Sequence, residues 1–198
     1  GGSQGARSIN RAMIAALPAL VAAHPGLRVI HQTGERDHEE VAAAYRKHGL
    51  TGQVGVGGAR EPVAPANATG GGPPPTQMEV VPFLYDMPRA FRQADLIVSR
   101  SGATTVAEIT ACGKPAVLIP FPHAIHGHQD RNARVLEGAG AAQVIVDARL
   151  SGELLAGAIS ALLARPDRLR EMERCSKSLG QADAAERIVS ECRTLVKD

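Results

Sequence analysis

Aromatic residues are scarce in this chain of 198 residues: they make up 3% of the sequence, and tryptophan is absent. Proteins that bind single-stranded nucleic acid stack the bases on aromatic side chains, so this composition disfavours that function. The net charge is also small, +2 at pH 7 from 22 basic and 20 acidic residues, and creates no strong field that would attract nucleic acid or anionic lipid. We therefore expect no nucleic-acid partner.

Long hydrophobic runs and a disulfide framework are also lacking. The longest apolar stretches, such as residues 13–23 and 115–121, fall short of the ~20 residues that cross a bilayer. The chain opens on Gly1 without a charged and apolar leader, so we expect no signal peptide. Three cysteines at positions 112, 175 and 192 have no spacing typical of a metal site, and we expect buried, inert, reduced thiols of a cytosolic protein.

Short aliphatic segments alternate with helical patterns along the chain. After a helix that starts at Ala6 and stops at Pro25-Gly26, the sequence predicts strands over residues 27–31, 78–81, 95–99, 115–119 and 142–146. Helices are predicted over residues 39–48, 86–94, 104–112, 129–137, 152–164, 167–177 and 183–196. Such alternation requires parallel strands joined by right-handed crossovers. We predict a doubly wound, Rossmann-like α/β fold with a mostly parallel sheet covered on both faces.

Two glycine-rich segments interrupt this pattern. Residues 1–6 form a turn of the kind that follows a buried strand, and the sequence contains no strand ahead of it. Residues 51–77 contain seven Gly and five Pro without periodicity, which predicts a mobile loop. A tolerated surface insertion is the simpler interpretation of this loop, and a functional lid is the alternative.

The turn over residues 100–108 follows an apolar strand, and ligands of open parallel sheets bind beyond the carboxyl ends of the strands. Its small residues leave bare amides at a helix start, where the helix dipole favours a phosphate. Glu108 lies one turn after Thr104, so its carboxylate can reach the same crevice and accept two hydroxyl hydrogen bonds, as a ribose offers. An ordinary solvated helix residue is the alternative interpretation of Glu108.

Two more turns carry candidate groups. Residues 83–87 follow the strand at 78–81, where the edge of a base could bond to the backbone, and Asp86 is the expected N-cap of the next helix. Residues 121–132 are rich in polar side chains, and Gln129 and Asn132 share a helical face that suits a sugar. A metal site is the competing interpretation, but this loop gives no defined ligand spacing for the candidates His123, His126, His128 and Asp130.

Four motifs in this order resemble the C-terminal, donor-binding half of the peptidoglycan N-acetylglucosaminyltransferases of glycosyltransferase family 28, which have a two-domain GT-B fold. The resemblance covers nearly the whole chain apart from residues 51–77. The motifs are Gly1-Gly2-Ser3-Gln4-Gly5-Ala6-Arg7, Val81-Pro82-Phe83 with Asp86-Met87, Arg100-Ser101-Gly102-Ala103 with Glu108, and His128-Gln129 with Asn132-Ala133.

The resemblance implies a role for each position that matches a motif. It places the uracil of UDP-N-acetylglucosamine against Leu84 and the ribose on Glu108. It assigns the diphosphate to backbone amides near Ser3 and at Ala103, Thr104 and Thr105. The sugar hydroxyls go to Gln129 and Asn132, with His128 beside them. The resemblance further implies no cofactor and no obligatory metal.

For the whole enzyme, the resemblance implies inverting transfer of N-acetylglucosamine to lipid I, undecaprenyl-pyrophosphoryl-MurNAc-pentapeptide, which yields lipid II in peptidoglycan synthesis. Such a protein is expected in the cytoplasm, peripheral on the inner membrane. The acceptor-binding N-terminal domain is absent from residues 1–198, so we expect donor binding with poor transfer. No catalytic residue is expected here, and His128 is the only local contender as a base. An open sheet edge predicts a weak dimer.

Several other functions stay open at this point. Another UDP-sugar transferase of the same architecture, a UDP-N-acetylglucosamine epimerase and a non-catalytic nucleotide-binding module would each use the same kind of rim. A nicotinamide-dependent oxidoreductase is disfavoured, because the turn at residues 1–6 lacks the full G-x-G-x-x-G spacing and no clear acidic residue terminates the strand at 27–31.

Overall fold

The computed structural model describes residues 6–48, 76–181 and 183–195. Ser3, the glycine-rich turn before Ala6 and nearly all of the predicted loop at 51–77 lie outside the described residues. The helices are α1 (Arg7–Ala23), α2 (His38–Lys47), α3 (Met87–Gln93), α4 (Ala103–Ala111), α5 (His128–Gly138), α6 (Gly152–Leu163), α7 (Pro166–Leu179) and α8 (Ala184–Leu195). The strands are β1 (Arg28–Gln32), β2 (Gln77–Val81), β3 (Ile97–Ser99), β4 (Ala116–Leu118) and β5 (Ala142–Val144).

All strand pairs in the described ranges are parallel, which confirms the predicted Rossmann-like α/β architecture. β1 pairs with β2, while β4 pairs with β3 on one side and β5 on the other. The described strands thus form two parallel sheets rather than the single sheet that we expected. A cleft of about 510 Å³ separates the edges of β1 and β3, and residues 26–32 and 93–100 line its two sides.

Helix α1 packs on α6 and forms the centre of the larger core. Leu17 and Leu20 of α1 and Leu155 of α6 are fully buried there. The two helices approach so closely that a Cβ atom added at Gly152 would lie 2.5 Å from the Cβ of Ala15. A second apolar cluster fills the space between β3–β5 and helices α4 and α5.

The first turn of α1 shows that both sheets point in the same direction. The side-chain amide of Asn10 donates to the carbonyl of Thr33, just after β1, at 2.9 Å. Arg100, just after β3, donates to the hydroxyl of Ser8 at 2.8 Å. The carboxyl ends of β1 and β3 therefore meet at one rim, beside the start of α1.

A buried polar cluster joins α1, β1 and α2. The Nδ1 atom of His31 lies 2.7 Å from the hydroxyl of Tyr45, and its Nε2 atom lies 3.0 Å from Oδ1 of Asn10. The amide nitrogen of Asn10 donates to the Thr33 carbonyl and to the Asp37 carboxylate, which fixes the orientation of that amide. The imidazole is therefore neutral with its proton on Nε2, and it accepts from Tyr45 at Nδ1.

The exposure of the three cysteines differs from what the sequence predicted. Cys112 and Cys192 are exposed and only Cys175 is partly buried, so the predicted burial of all three is wrong. Cys112 caps the end of α4, and Cys192 belongs to α8, which buries none of its residues.

Within the described ranges, no helix combines the length and the hydropathy needed to cross a membrane.

Candidate functional site

The N-terminus of α4 is open at the rim. Its N-cap residue is Gly102, which has no side chain to accept from the first amides, and the first turn contains no acidic residue. Ala103 and Thr104 are exposed, while Thr105 is half-buried. These free N–H groups and the helix dipole favour an anion by ~0.3–1 kcal/mol. The N-terminus of α1 likewise has no side-chain cap and no acidic residue in its first turn.

The cleft between β1 and β3 brings three predicted site residues together. Leu84, Thr105 and Glu108 all line it. Glu108 is exposed, and its carboxylate makes no hydrogen bond or ion pair with any residue that the structure describes. An unpaired carboxylate beside uncapped amides offers both acceptors and donors to one ligand.

Leu84 differs from the expectation in one respect. Its amide, which could have bonded to a base, donates to Oε1 of Gln32 at 3.1 Å. Gln32 ends β1, and this contact has no local signal in the sequence because the two residues are 52 positions apart. A base that bonds to the Leu84 amide must therefore displace the Gln32 side chain. The predicted N-cap role of Asp86 is confirmed, since its carboxylate accepts from the Arg89 amide at 3.0 Å.

Gln129 and Asn132 lie in the first turn of α5, on the shared face that the sequence predicts, but the backbone already uses part of each amide. Oε1 of Gln129 accepts from the Phe121 amide at 3.0 Å. Nδ2 of Asn132 donates to the Ser101 carbonyl at 3.0 Å. Of these two side-chain amides, Nε2 of Gln129 and Oδ1 of Asn132 have no hydrogen-bond partner among the described residues, so these atoms can bind a ligand.

His128 opens α5 and is exposed. Its Nδ1 lies 2.7 Å from the carbonyl of Ile125, which can only accept, so Nδ1 carries the proton in the neutral ring and Nε2 is an acceptor. His126, in the preceding turn, has a left-handed backbone with φ of 53°. Among the described residues, no group of three or more His, Cys, Asp or Glu side chains is arranged to hold a metal ion.

A network around Arg100 ties the rim together, and its partners Ser8 and Asp147 were not predicted. The guanidinium donates to four oxygens, which are the carbonyls of Ile119 and Pro120, Oγ of Ser8 and Oδ1 of Asp147. Ser8 in turn donates to Asp147 at 2.6 Å. Partial burial raises the pKa of the Asp147 carboxyl, but hydrogen bonds from Ser8 and Arg100 and the charge of Arg100 outweigh it and lower that pKa. The carboxylate is therefore ionised at neutral pH.

Comparison with known sequences gives a match over most of the chain. The family model for the glycosyltransferase family 28 C-terminal domain matches residues 1–188. The UDP-N-acetylglucosamine–N-acetylmuramyl-(pentapeptide) pyrophosphoryl-undecaprenol N-acetylglucosamine transferase of Geobacter sulfurreducens is 45% identical over 96% of this chain and 45% of its own length. The Syntrophus aciditrophicus protein of the same name is 43% identical over all of this chain and 47% of its own length. The chain thus spans about half the length of these relatives.

Solved structures agree with this match. The crystal structure of Acinetobacter baumannii MurG aligns with a TM-score of 0.76 and 31% identity, over 98% of this chain and 48% of that one. A putative UDP-N-acetylglucosamine 2-epimerase from Listeria monocytogenes aligns with a TM-score of 0.59 over 95% of this chain and 41% of its own. Its identity is 15%, so it shares the fold alone.

Proposed function

The chain belongs to the glycosyltransferase family 28 C-terminal domain family, and from this membership we propose that it binds UDP-N-acetylglucosamine at the rim of its parallel strands. It would serve as the donor-binding half of an inverting N-acetylglucosaminyltransferase. The observation that carries the proposal is the cleft that Leu84, Thr105 and Glu108 share beside the uncapped start of α4.

The diphosphate is assigned to the amides of Ala103, Thr104 and Thr105. These groups are pre-oriented by the helix and have no side-chain cap to compete with a ligand. The start of α1 lies at the same rim, because Ser8 and Arg100 are in contact there. Two phosphoryl groups can thus meet two helix N-termini, and we assign no metal to this site.

The nucleoside is assigned to the end of the cleft at the rim, where Leu84, Thr105 and Glu108 lie. The unpaired Glu108 carboxylate can accept from both ribose hydroxyls, and hydrogen bonds to a charged group contribute ~1.5–3 kcal/mol each. Uracil would lie against Leu84. The sugar would reach α5, where Nε2 of Gln129, Oδ1 of Asn132 and Nε2 of His128 can bond to its hydroxyls.

In the proposed reaction, the C4 hydroxyl of the acceptor MurNAc attacks the anomeric carbon of N-acetylglucosamine, and the bond to UDP breaks. Negative charge grows on the leaving diphosphate, so the α4 amides stabilise the transition state more than the ground state. The acceptor's proton passes to a base that we place outside residues 1–198. The relatives named above are about twice as long as this chain.

The remaining parts of the proposal concern the whole protein. We place the acceptor, lipid I, on a further domain and the enzyme in the cytoplasm, on the inner face of the membrane. Another UDP-sugar transferase is the competing proposal, and competition between UDP-N-acetylglucosamine and UDP-glucose separates the two. A weak dimer through an open sheet edge stays part of the proposal, and light scattering tests it.

Titration calorimetry with UDP tests the ribose assignment. We expect Glu108→Ala to weaken UDP binding by ~1–3 kcal/mol, about tenfold or more, without loss of folding, because the side chain is exposed. Glu191→Ala on α8 is the matched control, since it removes an exposed glutamate from a helix outside the site. Equal UDP affinity of the Glu108 variant and the control would refute the ribose assignment.

A further inference from the structure

We infer that Asp147 is a positioning residue of the donor site: through Ser8 and Arg100 it holds the start of α1 against the start of α4. This inference rests on the proposed function, because the spacing of these two helix starts matters only for a ligand that meets both. Asp147 follows β5 and does not belong to any of the four sequence motifs.

The geometry makes Asp147 the shared partner of two distant segments. Its Oδ1 atom accepts from the Ser8 hydroxyl and from the Arg100 guanidinium, each at 2.6 Å. Ser8 is the second residue of α1 and lies 139 positions away, while Arg100 lies 47 positions away. Arg100 also donates to Ser8 directly, at 2.8 Å, so the three side chains form a closed ring of hydrogen bonds.

This ring is sheltered, unlike the other ion pairs of the described chain. The side chains of Arg100 and Asp147 are 15% and 19% exposed, whereas those of Arg168 and Glu171 are 36% and 50% exposed. Exposed pairs contribute little, but removing one partner of a sheltered, hydrogen-bonded pair has a large effect because the other charge is left unpaired. Asp147 is therefore placed to fix the position of the start of α1 relative to the start of α4.

The two attached helices would respond differently to the loss of Asp147. Arg100 keeps its bonds to the carbonyls of Ile119 and Pro120, so the start of α4 stays fixed to the end of β4. Ser8 loses the oxygen to which it donates. Of the three bonds in this network, the start of α1 then keeps only the one from Arg100 to Ser8, so its first turn can shift relative to α4, with Asn10 still attached to Thr33. The distance between the two anion-binding helix starts changes, while Leu84 and Glu108, to which the nucleoside is assigned, make no hydrogen bond with Ser8 or Asp147.

Comparing the affinities for UDP and for uridine separates a positioning role from a purely structural role. UDP carries the diphosphate that spans both helix starts, whereas uridine contacts only the cleft. A residue that positions the helix starts affects UDP and spares uridine. A residue that only stabilises the fold lowers the melting temperature and affects both ligands alike, or neither.

The experiment measures the Kd of UDP by calorimetry and that of uridine by NMR titration, together with the melting temperature. We expect Asp147→Ala and Ser8→Ala each to weaken UDP binding about fivefold or more, with uridine affinity within about twofold of the wild type. Ser8→Ala keeps the Arg100–Asp147 pair, so it tests the inference even if Asp147→Ala fails to fold. Glu171→Gln, which removes the exposed pair with Arg168, is the control and should change neither affinity.

Three outcomes would overturn the inference or its premise. Unchanged UDP affinity in the Ser8 variant would overturn it, as would equal losses for UDP and uridine. A wild-type chain that binds neither UDP nor uridine would instead overturn the proposed function, and this inference with it.

Discussion

Acid sensitivity of the fold is expected at one side chain, His31. Only 8% of its surface is exposed, and its ring is hydrogen-bonded to Tyr45 and Asn10. Burial lowers the pKa of its imidazole from 6.5 to about 4, so the folded chain keeps the ring neutral well below neutral pH. Protonation would also place a second donor against the Tyr45 hydroxyl and disturb the cluster that joins α1, β1 and α2.

The sign and size of the effect follow from this shift. Between pH 6.5 and 4 the unfolded chain binds a proton at His31 that the folded chain does not, so stability falls as the pH falls through this window. Relative to pH 7, the loss from this residue is about 1 kcal/mol at pH 5.5 and about 2 kcal/mol at pH 4.5. Single domains have a total free energy of unfolding of only ~5–15 kcal/mol, so the effect is measurable.

Urea unfolding between pH 7.5 and 4.5 measures this loss in the wild type, in His31→Gln and in His128→Gln. Glutamine cannot titrate, so the difference between the wild type and His31→Gln should shrink by about 2 kcal/mol as the pH falls to 4.5. Carboxylates such as Asp147 titrate in both chains and cancel in this difference. His128 is exposed, and its variant should follow the wild type. A His31→Gln chain with the same pH dependence as the wild type would refute the reasoning.

Two further predictions concern the sugar and the helix contacts. Gln129→Ala should weaken UDP-N-acetylglucosamine more than UDP in calorimetry, because only the sugar reaches α5, and equal losses for both would contradict the assignment. Gly152→Ala should lower the free energy of unfolding by ~1–3 kcal/mol, because the new methyl group would overlap with Ala15. Gly157→Ala is its matched control: nothing lies within 4 Å of the new Cβ, and higher helix propensity should stabilise the chain by up to ~1 kcal/mol. Urea unfolding of both variants checks this, and similar effects in the two would contradict it.

Much of the fold could be predicted because its signals are local. Helix α1 was expected from Ala6 to the Pro25-Gly26 stop and runs over Arg7–Ala23, since apolar spacing and the stop lie in one short segment. Parallel pairing followed from the alternation of strands and helices. The division into two sheets could not be predicted, because the order of strands depends on pairing between segments that are far apart in the sequence.

The site was predictable to the extent that single turns define it. The uncapped start of α4 and the placement of Glu108 on the same cleft follow from Gly102 and from helical spacing. The contacts of Gln32 with Leu84 and of Ser8 with Asp147 could not be predicted, because each joins positions that are far apart in the sequence. Gln129 shows the same limit, since its position was predicted but its bond to the Phe121 backbone was not.

The most direct test of diphosphate binding at α4 is an NMR titration of the ¹⁵N-labelled chain with UDP. We predict the largest amide shifts at Ala103, Thr104 and Thr105, because their N–H groups are uncapped and face the rim. Uridine should leave the amides of Ala103 and Thr104 nearly unchanged, whereas Thr105, which lines the cleft, can shift with either ligand. Saturable shifts confined to α7 and α8, or no shifts at millimolar UDP, would contradict the assignment.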